Sequence, residues 1–89
     1  YLALQGPTFE TLAEYRMVKN LGADCVGMST VPEVIIARHM EMQCFGVSVI
    51  TDMGDEENIH DVNHKEVLEA AKKAEPYVKG LIQNLILKY

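Results

Sequence analysis

The stretch LGADCVGMSTVPEVIIARH, residues 21–39, decides the fold, because it reads as a short buried strand followed at once by a helix. Cys25–Met28 is apolar and short, which is typical of a strand. Thr30–Glu33 has the spacing of a capping box, with a hydroxyl at the cap and a carboxylate three residues later. Pro32 lies in the first turn, where its missing N–H costs little. We therefore predict a helix that runs to about Met40.

The residues before this stretch predict the same pair of elements. Tyr1–Gln5 is apolar and ends at Gly6-Pro7, so we predict a buried strand. Thr8 then caps a helix, which places Phe9 and Glu10 in its first turn. Gly22 suits the left-handed position after the helix end. The predicted inner face of this helix is Leu12, Tyr15, Val18 and Leu21.

The residues after this stretch predict a strand, a loop and a long helix. Cys44–Thr51 is almost continuously apolar, as in a strand that is buried on both faces. Asp52–Asp61 holds five acidic residues and no Lys or Arg, so we expect a solvated loop. Asn63 caps the last helix, and Pro76 predicts a kink or a new helix start within it. The apolar stripe of this helix is Val67, Ala71, Ala74, Val78, Leu81, Ile82 and Leu85.

Alternating strands and helices indicate an α/β fold with a parallel sheet and right-handed crossovers. Three strands alone would leave two unpaired edges and too little core. We therefore expect further strands on the N-terminal side, and interpret residues 1–89 as the C-terminal segment of a single α/β domain.

Composition restricts the partners. The chain has 89 residues, 48% of them hydrophobic, a formal net charge of -5 and a pI near 5.0. The acidic balance argues against nucleic acid or an anionic membrane surface as the main partner. No run reaches the ~20 apolar residues of a membrane helix. Cys25 and Cys44 lie in apolar runs without a C-x-x-C pattern, which predicts two buried, reduced thiols and a cytoplasmic protein.

The sequence contains no motif that indicates a metal site or a nucleotide site. The three histidines are scattered, and His39 and His60 are interpreted as structural or exposed. Neither G-x-x-x-x-G-K-[ST] nor G-x-G-x-x-G occurs.

Polar residues do follow each predicted strand, at the carboxyl edge where open parallel sheets bind ligands. Glu10 follows the first strand, Ser29 the second and Asp52 the third. Each has a structural alternative: Glu10 could complement the helix dipole, Ser29 and Thr30 could only cap a helix, and Asp52 could be a turn residue. His64 could simply begin a helix. Core packing is the corresponding alternative for Phe9 and Met28.

Four segments together resemble the trimeric purine nucleoside phosphorylases. They are GPTFET, the 21–39 stretch, GVSVIT and VNHKEVL, and the resemblance runs from about Leu4 to Leu68. It implies a three-layer α/β/α fold with a mostly parallel mixed sheet. It also implies a homotrimer that cleaves inosine and guanosine with inorganic phosphate in purine salvage, needs no other cofactor, and releases free base and ribose 1-phosphate.

The resemblance also assigns roles to residues. Glu10 would accept hydrogen bonds from N1–H of a 6-oxopurine and from the 2-amino group of guanine, and Ser29 would contact phosphate. The remaining substrate-binding positions are Phe9 against the base, Val26 and Met28 in the base and ribose pocket, and His64 at the ribose 5′-hydroxyl.

Asp52 departs from the family pattern, in which familiar members carry Asn after VIT. With Glu10 it forms the predicted catalytic pair, facing across the purine. A protonated Asp52 could donate to N7, whereas an ionised one would repel the departing base but could accept from a 6-amino group. A phosphorylase for 6-aminopurine nucleosides, of the methylthioadenosine type, is therefore one alternative. Retained Glu10 favours 6-oxopurines, because a carboxylate repels the bare N1 of adenine.

The family's main phosphate-binding loop has no counterpart in these 89 residues. We therefore expect the isolated segment to be inactive. The other alternative is a non-catalytic α/β fragment or binding module that keeps only the rim of the pocket. The loop before His64 is also slightly shorter than in animal enzymes, and its acidic residues could gate the site.

Overall fold

The computed structural model of the protein describes residues 1–54 and 63–89. These residues fall into two compact units, one made of residues 1–46 with Gly54, the other of residues 47–53 with 63–89. The first unit contains strand β1 (Leu2–Ala3), helix α1 (Leu12–Asn20), strand β2 (Val26–Gly27) and helix α2 (Val31–His39). The second contains helix α3 (His64–Lys88).

The two strands form a parallel pair, as the alternating pattern predicts. Leu2 lies opposite Val26 and Ala3 opposite Gly27. Just after β1 ends, the Leu4 N–H donates to the Gly27 carbonyl oxygen at 2.9 Å. The strands are two residues long, shorter than predicted. A parallel strand–helix arrangement is thus confirmed for the described residues, and the three-layer sheet stays a prediction.

Helix α1 begins three residues later than a Thr8 cap requires. Thr11 is the N-cap: its hydroxyl accepts from the Glu14 N–H at 3.3 Å, and its own N–H donates to Glu14 Oε2 at 2.6 Å. The prediction that Thr8 caps this helix was wrong, since Thr11 can make both bonds of the capping box with Glu14. Phe9 and Glu10 therefore lie outside the helix.

The inner face and the end of α1 are confirmed in part. Among the described residues, Val18 is the one apolar side chain that is buried, with 5% of its surface exposed. Leu21, predicted on the same face, is 68% exposed. Gly22 has a φ of +87°, the left-handed conformation predicted for it.

Helix α2 has the predicted bounds without the predicted capping box. Thr30 occupies the N-cap position, but its φ is +74° and its side chain makes no cap hydrogen bond. Its hydroxyl oxygen lies instead 3.3 Å from that of Ser29. The backbone conformation, which turns the Thr30 side chain toward Ser29, is why this prediction fails. Pro32 lies in the first turn and Met40 ends the helix, as predicted.

The predicted third strand, Cys44–Thr51, is absent: among the described residues this segment has no regular secondary structure. Its residues are exposed up to Ile50, which contradicts burial on both faces. A β-strand needs a neighbour for its backbone hydrogen bonds, and no described strand pairs with it. The two thiols also differ from their prediction, since Cys25 is only half-buried and Cys44 is exposed.

Helix α3 follows its predicted cap. The Asn63 side chain accepts from the Glu66 N–H at 2.9 Å. The helix continues through Pro76 to Lys88, so the predicted new helix start at this proline does not occur. Its half-buried positions are Val67, Ala70, Ala74, Val78, Gly80 and Leu85. The predicted acidic loop lies largely outside the described residues.

Candidate functional site

The carboxyl ends of β1 and β2 meet at one edge of the parallel pair, where the sequence places a ligand site. The segment after β1 passes close to Met28 there. A Cβ on Gly6 would overlap the Met28 sulfur, and the φ of Gly6 is +67°. Glycine is therefore required at position 6 on both counts. Met28 is 44% exposed and Val26 half-buried, so neither predicted pocket residue is sealed into a core.

Ser29 directly follows this edge and contacts Tyr1. The Ser29 N–H donates to the Tyr1 hydroxyl oxygen at 3.3 Å. The hydroxyl oxygens of Tyr1 and Ser29 lie 3.5 Å apart. Ser29 Oγ is thus part of a small hydroxyl cluster made of Tyr1, Ser29 and Thr30.

Glu10 lies between β1 and α1 and is half-buried. The Tyr15 hydroxyl donates to Glu10 Oε2 at 3.4 Å. A Cβ on Gly54 would overlap the Tyr15 ring, so the backbone of Gly54 lies against it. The first-turn acid of α1 is Glu14 rather than Glu10. This weakens the alternative in which Glu10 serves only the helix dipole. Phe9, next to it, is 41% exposed, which argues against its role as a core residue.

Asp52 and His64 belong to the second unit. Asp52 is half-buried, and its Oδ1 accepts from the Thr51 hydroxyl at 2.8 Å. His64 is exposed and is the first residue of α3, directly after the Asn63 cap. Since Glu10 belongs to the first unit, the predicted opposition of Glu10 and Asp52 across a purine stays a prediction.

Tyr1 and Tyr15 contribute contacts that were not predicted from the sequence. Tyr15 was assigned to the inner face of α1, and its spacing of five residues from Glu10 was a usable signal. Tyr1 is 28 residues from Ser29, and only the pairing register of β1 and β2 brings them together. No local pattern in the sequence reports that contact.

Within residues 1–54 and 63–89, no three His, Cys, Asp or Glu side chains are grouped so that they could hold a metal ion. None of the described helices combines the length and apolarity needed to cross a bilayer.

Comparison with known proteins supports the resemblance. Residues 1–87 match the family model described as the phosphorylase superfamily. Purine nucleoside phosphorylase of Mus musculus is 52% identical over 98% of this chain, and that of Bos taurus is 51% identical over 97%. Purine nucleoside phosphorylase 1 of Geobacillus stearothermophilus is 43% identical over 96%.

The chain spans about a third of the length of these relatives, covering 32%, 30% and 32% of them respectively. The predicted resemblance is confirmed, and its four segments lie inside the matched residues. Because the family model matches residues 1–87 of the 89-residue chain, the chain belongs to the phosphorylase superfamily.

Proposed function

We propose that the full-length protein containing this segment cleaves purine nucleosides with phosphate, and that inosine and guanosine are its substrates. The products are the free base and ribose 1-phosphate. The observation that carries this proposal is Glu10: a half-buried carboxylate outside any helix, with Oε2 bound by Tyr15. The names of the relatives in mouse, cattle and Geobacillus agree with it.

The reaction needs a group that holds the purine as it leaves. When phosphate attacks C1′, negative charge builds on the base. Hydrogen-bond donors aimed at the base stabilise that charge, whereas an acceptor holds the base in position. Glu10 accepts from N1–H of a 6-oxopurine, and Tyr15 limits the orientations that this carboxylate can take. Phe9, with its ring partly exposed, is available to pack on the base.

The remaining pocket roles follow the edge of the sheet. Val26 and Met28 line the base and ribose pocket. The Ser29 hydroxyl donates a hydrogen bond to phosphate. His64 binds the ribose 5′-hydroxyl. Met28 and Ser29 support this assignment, since both are exposed at the end of β2.

Asp52 is assigned to N7 of the base. The Thr51 hydroxyl donates to Asp52 Oδ1 at 2.8 Å. If the carboxyl is protonated in the complex, it donates to N7 and assists departure of the base, as general acid catalysis requires.

We further propose a homotrimeric, cytoplasmic enzyme of purine salvage that has a three-layer α/β/α fold. Inorganic phosphate is its co-substrate and it uses no other cofactor. Nucleic acid and membranes are not among its partners. These proposals rest on the family membership, the net charge of -5 and the parallel pair of strands.

The test is release of base from inosine, guanosine and adenosine by the full-length protein, with and without phosphate. We expect phosphate-dependent release from the two 6-oxopurine nucleosides and at most slow release from adenosine. Adenosine as the better substrate would favour a 6-aminopurine phosphorylase. No phosphate-dependent release from any of them would favour a non-catalytic module. The 89-residue segment alone should show no turnover.

A matched pair of variants tests Glu10. Glu10→Gln removes the charged acceptor, and hydrogen bonds to charged groups are the stronger class, so kcat/KM for inosine should fall about 10- to 100-fold. Glu69→Gln, on the exposed surface of α3, is the control and should leave kcat/KM unchanged. Equal activity of the Glu10 variant and the wild type would refute the role of this carboxylate.

A further inference from the structure

The Tyr1 hydroxyl contacts both the backbone and the side chain of Ser29, which follows shortly after β2. The Ser29 N–H and the Ser29 hydroxyl both lie within 3.5 Å of the Tyr1 hydroxyl oxygen, the former at 3.3 Å. We infer that Tyr1 is a positioning residue for phosphate, holding Ser29 so that its hydroxyl proton faces the anion. This inference rests on the proposed function, which assigns phosphate to Ser29.

One arrangement of the hydrogen bonds around Ser29 leaves its hydroxyl proton for the anion. The Ser29 N–H can only donate, so the Tyr1 oxygen accepts it. The Tyr1 proton can then donate to Ser29 Oγ, and the Thr30 hydroxyl can donate to the same oxygen. With both of its lone pairs occupied, Ser29 Oγ has its own proton available for a phosphate oxygen. A deprotonated phosphate oxygen can only accept, so a serine oriented as a donor binds it better than one that rotates freely.

Gly27 makes room for this contact. A Cβ added to Gly27 would overlap the Tyr1 hydroxyl oxygen and would approach its ring carbon Cζ to 2.8 Å. Gly27 pairs with Ala3 in the register that joins β1 to β2. The strand pairing therefore brings Tyr1 to Ser29, and the missing side chain at position 27 lets its hydroxyl approach.

The first test is Tyr1→Phe in the full-length protein, which removes the hydroxyl and keeps the ring. Loss of one neutral hydrogen bond to the phosphate-binding serine should raise the KM for phosphate about five-fold. At saturating phosphate, kcat and the KM for inosine should stay within about two-fold of wild type. Tyr77→Phe, at an exposed position on α3, is the matched control and should change none of them.

Gly27→Ala is the second variant, because its Cβ displaces the hydroxyl while Tyr1 itself is unchanged. It should raise the phosphate KM in the same direction as Tyr1→Phe. Adding Tyr1→Phe to Gly27→Ala should cause little further loss, since the contact is already broken. A phosphate KM equal to wild type in Tyr1→Phe, or a parallel loss of kcat and inosine binding with a lowered melting temperature, would overturn the inference.

Calorimetric titration with inorganic phosphate separates this inference from the proposed function, because it needs no turnover. We expect weaker phosphate binding by Tyr1→Phe than by wild type. Equal dissociation constants overturn the role of Tyr1 whether or not the protein cleaves nucleosides. A wild-type protein that neither binds phosphate nor releases base overturns both proposals.

Discussion

The hydroxyl of Tyr15 donates a hydrogen bond to Oε2 of Glu10 at 3.4 Å, and so connects the first helix to the proposed base-binding carboxylate. Tyr15 is anchored in the backbone of α1, whereas Glu10 lies in the preceding irregular segment. The contact therefore joins a residue inside α1 to one that precedes the Thr11 cap.

Tyr15→Phe should weaken nucleoside binding modestly. The bond is long and involves a neutral donor, so we expect the KM for inosine to rise about two- to three-fold. The KM for phosphate should not change, because Tyr15 bonds the proposed base-binding Glu10, whereas phosphate is assigned to Ser29. Steady-state kinetics of the full-length protein measure both constants, with Tyr77→Phe as the control. A rise in the phosphate KM alone would contradict this role for Tyr15.

Asp52→Asn separates the two roles open to Asp52. If Asp52 is protonated and donates to N7, the amide cannot transfer a proton, and kcat for inosine should fall about 100-fold. If Asp52 only accepts a hydrogen bond, the amide should preserve or improve inosine cleavage. We expect the fall. Single-turnover kinetics at saturating phosphate report the chemical step, and an unchanged rate would exclude proton donation by Asp52.

Asn63→Ala should destabilise α3 through its N-cap. The side chain satisfies the Glu66 N–H at 2.9 Å, and loss of such a cap costs about 1 kcal/mol of unfolding free energy. Asn84→Ala is the matched control, because Asn84 lies exposed within the same helix. There alanine is the better helix former, so stability should be unchanged or slightly raised. Urea denaturation of the full-length variants measures the difference, and equal stabilities would contradict the cap.

Glu14 should make stability depend on acid pH. The Thr11 N–H, and then the Thr11 hydroxyl, lower the pKa of Glu14 below its usual value of 4.5. The unfolded chain therefore binds the proton more readily, and the contribution is present above pH 4.5 and lost as pH falls through the folded-state pKa. The melting temperature of wild type should exceed that of Glu14→Gln at pH 7, and the difference should shrink below pH 4.5. A difference that is constant with pH would contradict this linkage.

Local patterns predicted the elements whose cause is local. Asn63 at the start of α3 is a polar cap one residue before a periodic helix, and Gly22 is the residue type that tolerates a left-handed backbone. Thr8 failed as a cap because two threonines compete within four residues, and only Thr11 has a glutamate three positions later. Cys44–Thr51 failed because strand formation depends on a partner strand that an apolar run cannot specify by itself.

Some features of the candidate site could likewise be predicted from local sequence, whereas others depend on how the chain folds. Glu10 and Ser29 could be proposed from residue type and from their positions after strands; Ser29 follows β2, and Glu10 lies between β1 and α1. The contacts of Tyr1 with Ser29 span 28 residues and depend on the strand register. That register is a property of the paired strands, and one sequence alone does not specify it. The same limit applies to Asp52, whose distance from Glu10 is set by tertiary structure and stays a prediction.

The cap at Thr11 also has a consequence for how this segment can change in evolution. Because the capping box fixes the first residue of α1, exchanges along its exposed face can tune thermal stability without altering the backbone that carries Phe9 and Glu10. Conversely, the proposed substrate preference can drift through Phe9 and Glu10 without unwinding a helix. Tyr15, whose hydroxyl donates to Glu10 at 3.4 Å, is the position of α1 where selection on stability and selection on purine recognition meet.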